Sequence, residues 1–480
     1  MKTRNKLAML SSMLLSLTLV LSACGGTNNN SSNTANDTNK ASNAGSADKT
    51  NNAGTNSTAN ANAADTESAS DTNAAAATEV KHDPVTLRIV SWAGDDYVPL
   101  YQKFHEKYPW ITIENVPVNG KSILEVVAAN QAAGTPADLS WVDQDLYSFE
   151  QNGVAEDLTP YLDTDPTMQS VQLKNGLLDT FKINGKRVAV PFVDVPMWIL
   201  VNKDLLAKNG LDMPPNDWTY DDLREDAKKM TNPDAGEYGM TTMPEWQMRL
   251  LSTKSIADGY ANNLQFMNTD LTQSMMGTPG VVDEFKWLKE FVTKDGSMLN
   301  YADAKAKGDA MSNFLNGKTG FAIGGSWNIP ELRSKANFDW DVLPFPRGTK
   351  GQPSYSIWGP MTLLAGSKHK AEAFLYISFQ FSKEIQKWKM EQGNNPAIID
   401  PELDAYYDQI PLWKDKNTDA VRISKENGIP EMGYMIPAFG EYQWNGLGNK
   451  IIFEDGDTSE LIASAEGWNK RTQEVRAALK

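Results

Sequence analysis

One thiol, three imidazoles and fourteen indoles set what chemistry this 480-residue chain has to hand. The thiol, Cys24, ends an apolar run, so everything after it lacks a disulfide, a cysteine nucleophile or a thiolate metal site. His82, His105 and His369 read as solvated imidazoles: His105 is one position of the amphipathic "YQKFHEKYP", and His369 lies in the charged "GSKHKAEAF". No GxSxG, HExxH or GxxxxGKS/T pattern occurs. Two carboxylates are enough to hydrolyse a glycosidic bond, and Asp143 with Glu245 is the candidate pair. "EDGDTSE" at Glu454–Glu460 lacks the ligand spacing of a calcium loop and reads as a turn capped by Thr458 or Ser459. What stands out is tryptophan, present in greater number than a core needs and suited to stacking on a ligand with flat apolar faces. No cofactor is called for.

The elements that must hold these residues alternate between strand and helix. "VTLRIVSW" at Val85–Trp92 is a β-rich alternating run, "DDYVPLYQKFHEKYP" has helical spacing, "ITIENVPV" is a second strand, and "KSILEVVAANQAA" is a helix ended by Gly134. "ADLSWVD" is a short third strand, and "QDLYSFEQNG" a helix stopped at Gly153. This order predicts a parallel sheet with helices on both faces, whose ligands sit beyond the C-terminal strand ends. Two such ends are Trp92–Gly94 and Trp141–Asp143. "FKINGKRVAVPF" predicts a hairpin around Asn184–Gly185, and Thr219 is expected to open a helix. "HKAEAFLYISFQFSKEIQKWKMEQ" reads as two helices broken near Ser382, and the C-terminal stretch as one more. Trp198, Trp218, Trp287, Trp340 and Trp388 fall within periodic apolar patterns and are expected in the core.

The N-terminal region has a different physics. Lys2, Arg4 and Lys6 precede a short uncharged apolar stretch, as in a secretory signal over residues 1–23. Leu21-Ser22-Ala23-Cys24 resembles the lipobox of bacterial lipoproteins, which implies a diacylglyceryl thioether on Cys24. Two acyl chains anchor well where one holds only marginally. The Asn-, Thr-, Ser- and Ala-rich residues after it, to residue 83, have almost no large apolar side chain and are expected to form a disordered tether. A flexible chain of roughly 59 residues reaches about 40 Å, which suits a thick Gram-positive wall. The net charge of −16 argues against a nucleic-acid partner.

Several stretches in order resemble the extracellular solute-binding proteins of ABC importers, in particular the large sugar-binding class. They are "AAGTPADLSWVD", "NGVAEDLTPYLD", "VNKDLLAKNGLDMPPNDWTYDDLREDAKKM", "NGKTGFAIGGSW", "DWDVLPFPRG" and "LAGSKHKAEAFLYISFQFSKEIQ", which span most of residues 84–395. Residues 400–450 carry no such likeness. The resemblance implies an α/β fold of two lobes joined by hinge crossovers, with ligand held in the cleft between them. Lobe 1 would take 84–193 and 347–397, and lobe 2 would take 194–346 and 398–480, with crossovers near "PFVDVPM" and "PFPRG". It also implies a monomer that captures a carbohydrate, closes on it and is read by permease subunits.

Pyranose rings present C–H faces to aromatic groups, and their hydroxyls want carboxylates and amides. On the resemblance, the expected ligand residues are Trp92 beside Gly94, Trp141 and Asp143 at the third strand end, and Asp194 at the first crossover. Glu245 with Trp246, Trp327 after Gly324-Gly325-Ser326, and Trp358 before Gly359-Pro360 complete the set. Trp444 is a further candidate within the unmatched stretch.

Overall fold

The computed structural model describes residues 82–142, 146–174, 176–442 and 444–478. Cys24, its flanks and the tether up to residue 81 lie outside them, as does Asp143. Strand β1, Val85–Ser91, buries Leu87 and Ile89 on one face, and the helix Val98–Lys107 covers it with Leu100 and Phe104. Strand β2, Ile111–Pro117, pairs parallel with β1. The following helix, Ile123–Ala132, begins at a reciprocal cap in which Ser122 and Glu125 exchange hydrogen bonds. It ends before Gly134, whose φ of 76° only glycine adopts without strain. Strand β3, Leu139–Trp141, then runs parallel to β1 on its other side. Asn184 and Gly185, both at positive φ, turn the hairpin of β4, Lys182–Ile183, and β5, Lys186–Arg187.

Strand β6, Val190–Asn202, is the longest and is buried along nearly all its length. After it come β7, Tyr238–Met240; β8, Thr319–Gly325; β9, Trp340–Leu343; β10, Ser354–Leu363; and β11, Gly428–Pro430. The sheet order is β2-β1-β3-β10-β6-β8-β7, with β11 beside β10 and β9 beside β6. Val190–Pro196 of β6 pair with β10, whereas Met197–Asn202 pair with β8 and β9. One continuous strand therefore passes from one half of the sheet to the other. Its "MWILV" run lacks polar alternation because both faces are covered. Trp198 and Leu200 pack with Phe314, Leu332 and Trp413, while Met197, Ile199 and Val201 join a separate core with Leu250, Phe285 and Trp468. The result is the two-lobed α/β architecture that the strand–helix order and the resemblance imply.

Two helix boundaries fall where the sequence puts them, and the cap expected from Thr458 or Ser459 is made instead by Asp457. Thr219 opens the helix Tyr220–Lys229 through a reciprocal cap with Asp222. The helices Lys370–Phe379 and Lys383–Glu391 part at Ser382. The last helix, Ser459–Ala478, starts behind Asp457, whose carboxylate accepts from the Ser459 N–H at 2.7 Å. Among the described residues no group of acids or histidines could hold a metal ion. Residues 400–450, without a sequence likeness, pack in detail: Trp413 meets Trp198 edge-on at 5.1 Å, and Asn417 accepts and donates across to Asn216, Asp341 and Val342.

Candidate ligand-binding site

A cavity of about 720 Å³ opens where the two halves of the sheet meet. That is ample for a small-molecule ligand. Its walls come from six places in the chain. The loop after β1 gives Trp92, Ala93, Gly94, Asp96 and Tyr97, and the end of β3 gives Trp141. Phe192, Val193 and Val195 come from β6, and Ile357 and Gly359 from β10. The turn after β8 gives Ser326 and Trp327, and the end of the helix Lys383–Glu391 with its following turn gives Trp388, Lys389, Gln392 and Asn394. A second cavity of about 300 Å³, beside Thr241 and Thr319, has no tryptophan in its lining.

The aromatic rings are ordered. Trp141, 3% exposed, stacks on Phe192 at 4.8 Å and takes the edges of Trp92 at 5.0 Å and Tyr97 at 4.9 Å. Burial first, then the charge of Asp96, pushes the Tyr97 phenol above its ordinary range, so it stays a neutral hydroxyl. Trp92 and Trp327 are 50% and 46% exposed, the two indoles among the exposed large apolar side chains. A tryptophan buries 150–250 Å² when covered, so two half-bare indoles in one cavity leave several kcal/mol of apolar contact unmade. A ligand with a flat C–H face would make it.

Glycine is what places Trp327. A Cβ on Gly325 would lie 2.3 Å from the Trp327 ring, so only glycine lets the indole fold back across the end of β8. Asn328 fixes the turn by accepting from the Gly325 N–H at 3.1 Å, and Ser326 donates to Asn394 at 2.8 Å. A Cβ on Gly359 would lie 2.8 Å from Val193 and 3.0 Å from the Phe192 ring, so glycine keeps that stretch of the wall open as well.

The expected residues divide. Trp92, Trp141 and Trp327 line the cavity together. Trp246 is not in the wall but meets the Trp327 ring at 5.7 Å, and the Arg249 guanidinium lies 5.0 Å from the Trp246 ring. Glu245 is exposed and pairs with that arginine at 3.1 Å. Arg249 also donates to the Tyr355 hydroxyl at 2.7 Å, and Tyr355 donates to Glu431 at 2.5 Å, which ties this corner to β10. Asp194 and Trp358 stand opposite each other in the β6–β10 ladder. Their chain neighbours Val193, Val195, Ile357 and Gly359 line the cavity, so strand alternation turns both to the other face of the sheet. There Asp194 is held by Lys174 and Ser356 and is 4% exposed. Asp143 lies outside the described residues.

Two expectations about tryptophan change. Trp388, read as core from its helical period, is a wall of the cavity, because the helix end that carries it points at the cleft. Trp444 is 4% exposed and packs on Phe266 in the core. The sequence reading also passed over Tyr97, Phe192 and Lys389. Lys389 had a visible signal: it stands four residues after Ile385, on the buried face of its helix, where an apolar side chain is the norm.

A family model described as bacterial extracellular solute-binding protein matches residues 100–416, more than half of the chain. The chain belongs to that family. This solute-binding protein has a relative in Brucella abortus, carrying the name of a binding protein, that is 26% identical over 320 residues, 64% of this chain and 72% of its own. The Multiple sugar-binding protein of Streptococcus mutans is 25% identical over 254 residues, 52% of this chain and 60% of its own. An ABC substrate-binding protein from Listeria monocytogenes, solved in complex with cycloalternan, matches 82% of this chain and 100% of that one, with a TM-score of 0.69 at 21% identity. That likeness is one of fold. The family is one of binding proteins, and the reading of Asp143 and Glu245 as a hydrolytic pair gives way to it.

Proposed function

We propose that this solute-binding protein captures a carbohydrate of oligosaccharide length and hands it to the permease subunits of an ABC importer. It would work as a monomer, held at the outer face of the membrane by a diacylglyceryl group on Cys24. The observation that carries the reading is the pair of half-exposed indoles, Trp92 and Trp327, in one aromatic cavity. Tyr97 and Trp388, backed by the buried Trp141 and Phe192, would extend that surface over more than one sugar ring, while Asp96, Gln392 and Asn394 offer partners for hydroxyls. We place lobe 1 at residues 84–193 and 347–397 and lobe 2 at 194–346 and 398–480, with β6 and β10 as the strands that bend. Ligand contacts made with both lobes would favour the closed state, since a ligand shifts an equilibrium only by its differential affinity. The Glu245–Arg249–Tyr355 chain offers a route by which Trp246, behind Trp327, is braced against β10.

A thermal-shift screen of the protein against mono- and oligosaccharides tests this. Native-state binding adds RT ln(1 + [L]/Kd), about 2.7 kcal/mol at one hundred times Kd. An upward shift with an oligosaccharide, and no product after overnight incubation, is the expected result. A shift with peptides or other solutes and none with any sugar would overturn the carbohydrate assignment, and cleavage of the sugar would overturn the receptor.

A further inference from the structure

Lys389 lines the cavity and yet is 3% exposed. Its ammonium donates to the carbonyl of Phe192 and stands 6.0 Å from that ring. An ammonium has three N–H donors, and among the described residues this one pairs with no carboxylate. Burial alone acts on it, and pushes its pKa down to about 7. The remaining polar wall is Ser326, Gln392 and Asn394, all neutral, with the exposed Asp96 in the loop after β1. A buried cation without a counter-charge is expensive, and an apolar residue would suit this helix position, four after the buried Ile385. The missing negative charge can come from what enters the cavity.

We propose that Lys389 makes the cavity selective for a carbohydrate bearing a carboxylate, that is, one with a uronic-acid unit. This rests on the carbohydrate reading above and narrows its ligand. The carboxylate of a uronic acid projects from the ring edge, so a sugar stacked by its face on an indole can present it sideways to the ammonium. One ammonium balances one carboxylate. A phosphate, close to dianionic at neutral pH, would want further donors, and among the described residues the cavity wall contains no arginine. A neutral sugar would leave the ammonium as bare as it is now.

Calorimetric titration of the full protein tests this with uronic-acid oligosaccharides, with their carboxyl-reduced neutral counterparts of equal length and linkage, and with sugar phosphates. A uronic-acid ligand is expected to bind at least 30-fold more tightly than its neutral counterpart. Lys389→Met should remove that preference, weakening the acidic ligand about 30-fold and changing the neutral one less than 3-fold, while Lys389→Arg should restore part of it. Melting of Lys389→Met without ligand establishes that the variant is folded. Trp327→Ala should weaken both ligands alike. Equal binding of acidic and neutral sugars, or equal weakening of both by Lys389→Met, overturns the inference and leaves the carbohydrate receptor standing. Preference for a sugar phosphate overturns the carboxylate assignment. Binding of no carbohydrate at all, with another solute bound, overturns both.

Discussion

Lys254 and Lys389 are both ammonium groups largely withdrawn from solvent, one with its side chain 12% exposed among carboxylates and one 3% exposed in the cavity wall. Lys254 sits between Asp258 at 2.6 Å and Glu284 at 2.8 Å, over the rings of Tyr220 and Trp287. Burial works against its charge, but the hydrogen bonds to the two carboxylates outweigh it and hold its pKa above the ordinary value. The carboxylates share a single cation unequally. Burial pushes Glu284 up to about 7 against the pull of Lys254, while Asp258, also aided by the Thr349 N–H, is drawn below its usual range despite burial. Lys389 has the Phe192 carbonyl and ring and, among the described residues, no carboxylate. A charge matched from within locks a core, and a charge left unmatched at a cavity wall waits for a ligand.

The largest effect expected from this contrast is on stability. Lys254→Met strands two buried carboxylates and should cost about 3–5 kcal/mol in urea unfolding, as removal of one partner from a buried ion pair does. Lys389→Met strands one carbonyl, about 1–3 kcal/mol, but also removes a charge that burial disfavours, so its net cost should stay below about 1 kcal/mol at pH 7.

Next in size is a pH dependence with two separate windows. The folded-state pKa of Lys389 lies near 7, below its ordinary 10.5, so the unfolded chain binds more protons between those values. Its contribution makes stability rise with pH from about 7 to 10.5, and the gain is lost as pH falls back to 7. Glu284 is displaced the other way, to about 7 from 4.5. Its contribution is fully present below 4.5 and is lost as pH rises through 7. Each should be of the order of a few kcal/mol at most. Unfolding measured across pH should show Lys389→Met flattening the curve above 7 and Glu284→Gln flattening it below. If both variants act in the same window, the contrast between the two lysines fails.

Smaller effects separate cleft from scaffold among the tryptophans. Trp327→Ala should lower ligand affinity by about 2 kcal/mol or more, roughly 30-fold, and leave the melting temperature of the empty protein nearly unchanged, because its ring is half bare. Trp358→Phe should do the reverse on a smaller scale, with a stability loss of about 1 kcal/mol and an affinity change under about 3-fold. Calorimetry and thermal melting of the two variants side by side would show whether the cavity is the binding surface.

Much of this was legible in the sequence where the pattern had a period or a turn residue behind it. The parallel β1–β2–β3 unit, the stops at Gly134 and Gly153, the Asn184–Gly185 hairpin and the break at Ser382 follow from local chemistry. Trp327 was expected on the resemblance, and the structure adds that Gly325 leaves room for its ring at the end of β8. The faces of β6 and β10 were not legible. Both strands are covered on two sides, so adjacent residues look alike in sequence although Val193 faces the cleft and Asp194 faces away. Trp388 and Lys389 were hidden for a related reason: helical period marks a residue as inward-facing and cannot say whether inward means core or cavity. The stretch 400–450 is held by contacts to distant residues, such as Glu431 with Tyr355 and Asn417 with Asp341, which no local pattern reveals.

The most direct test of the central claim, that the aromatic cavity is the carbohydrate site, is a crystal structure of the protein with a bound oligosaccharide. Sugar rings lying against Trp327 and Trp92, with density continuous along the wall formed by Trp141 and Trp388, are the expected result. Sugar density elsewhere, in the smaller cavity beside Thr241 and Thr319 or on the outer surface, with this cavity empty, would contradict it.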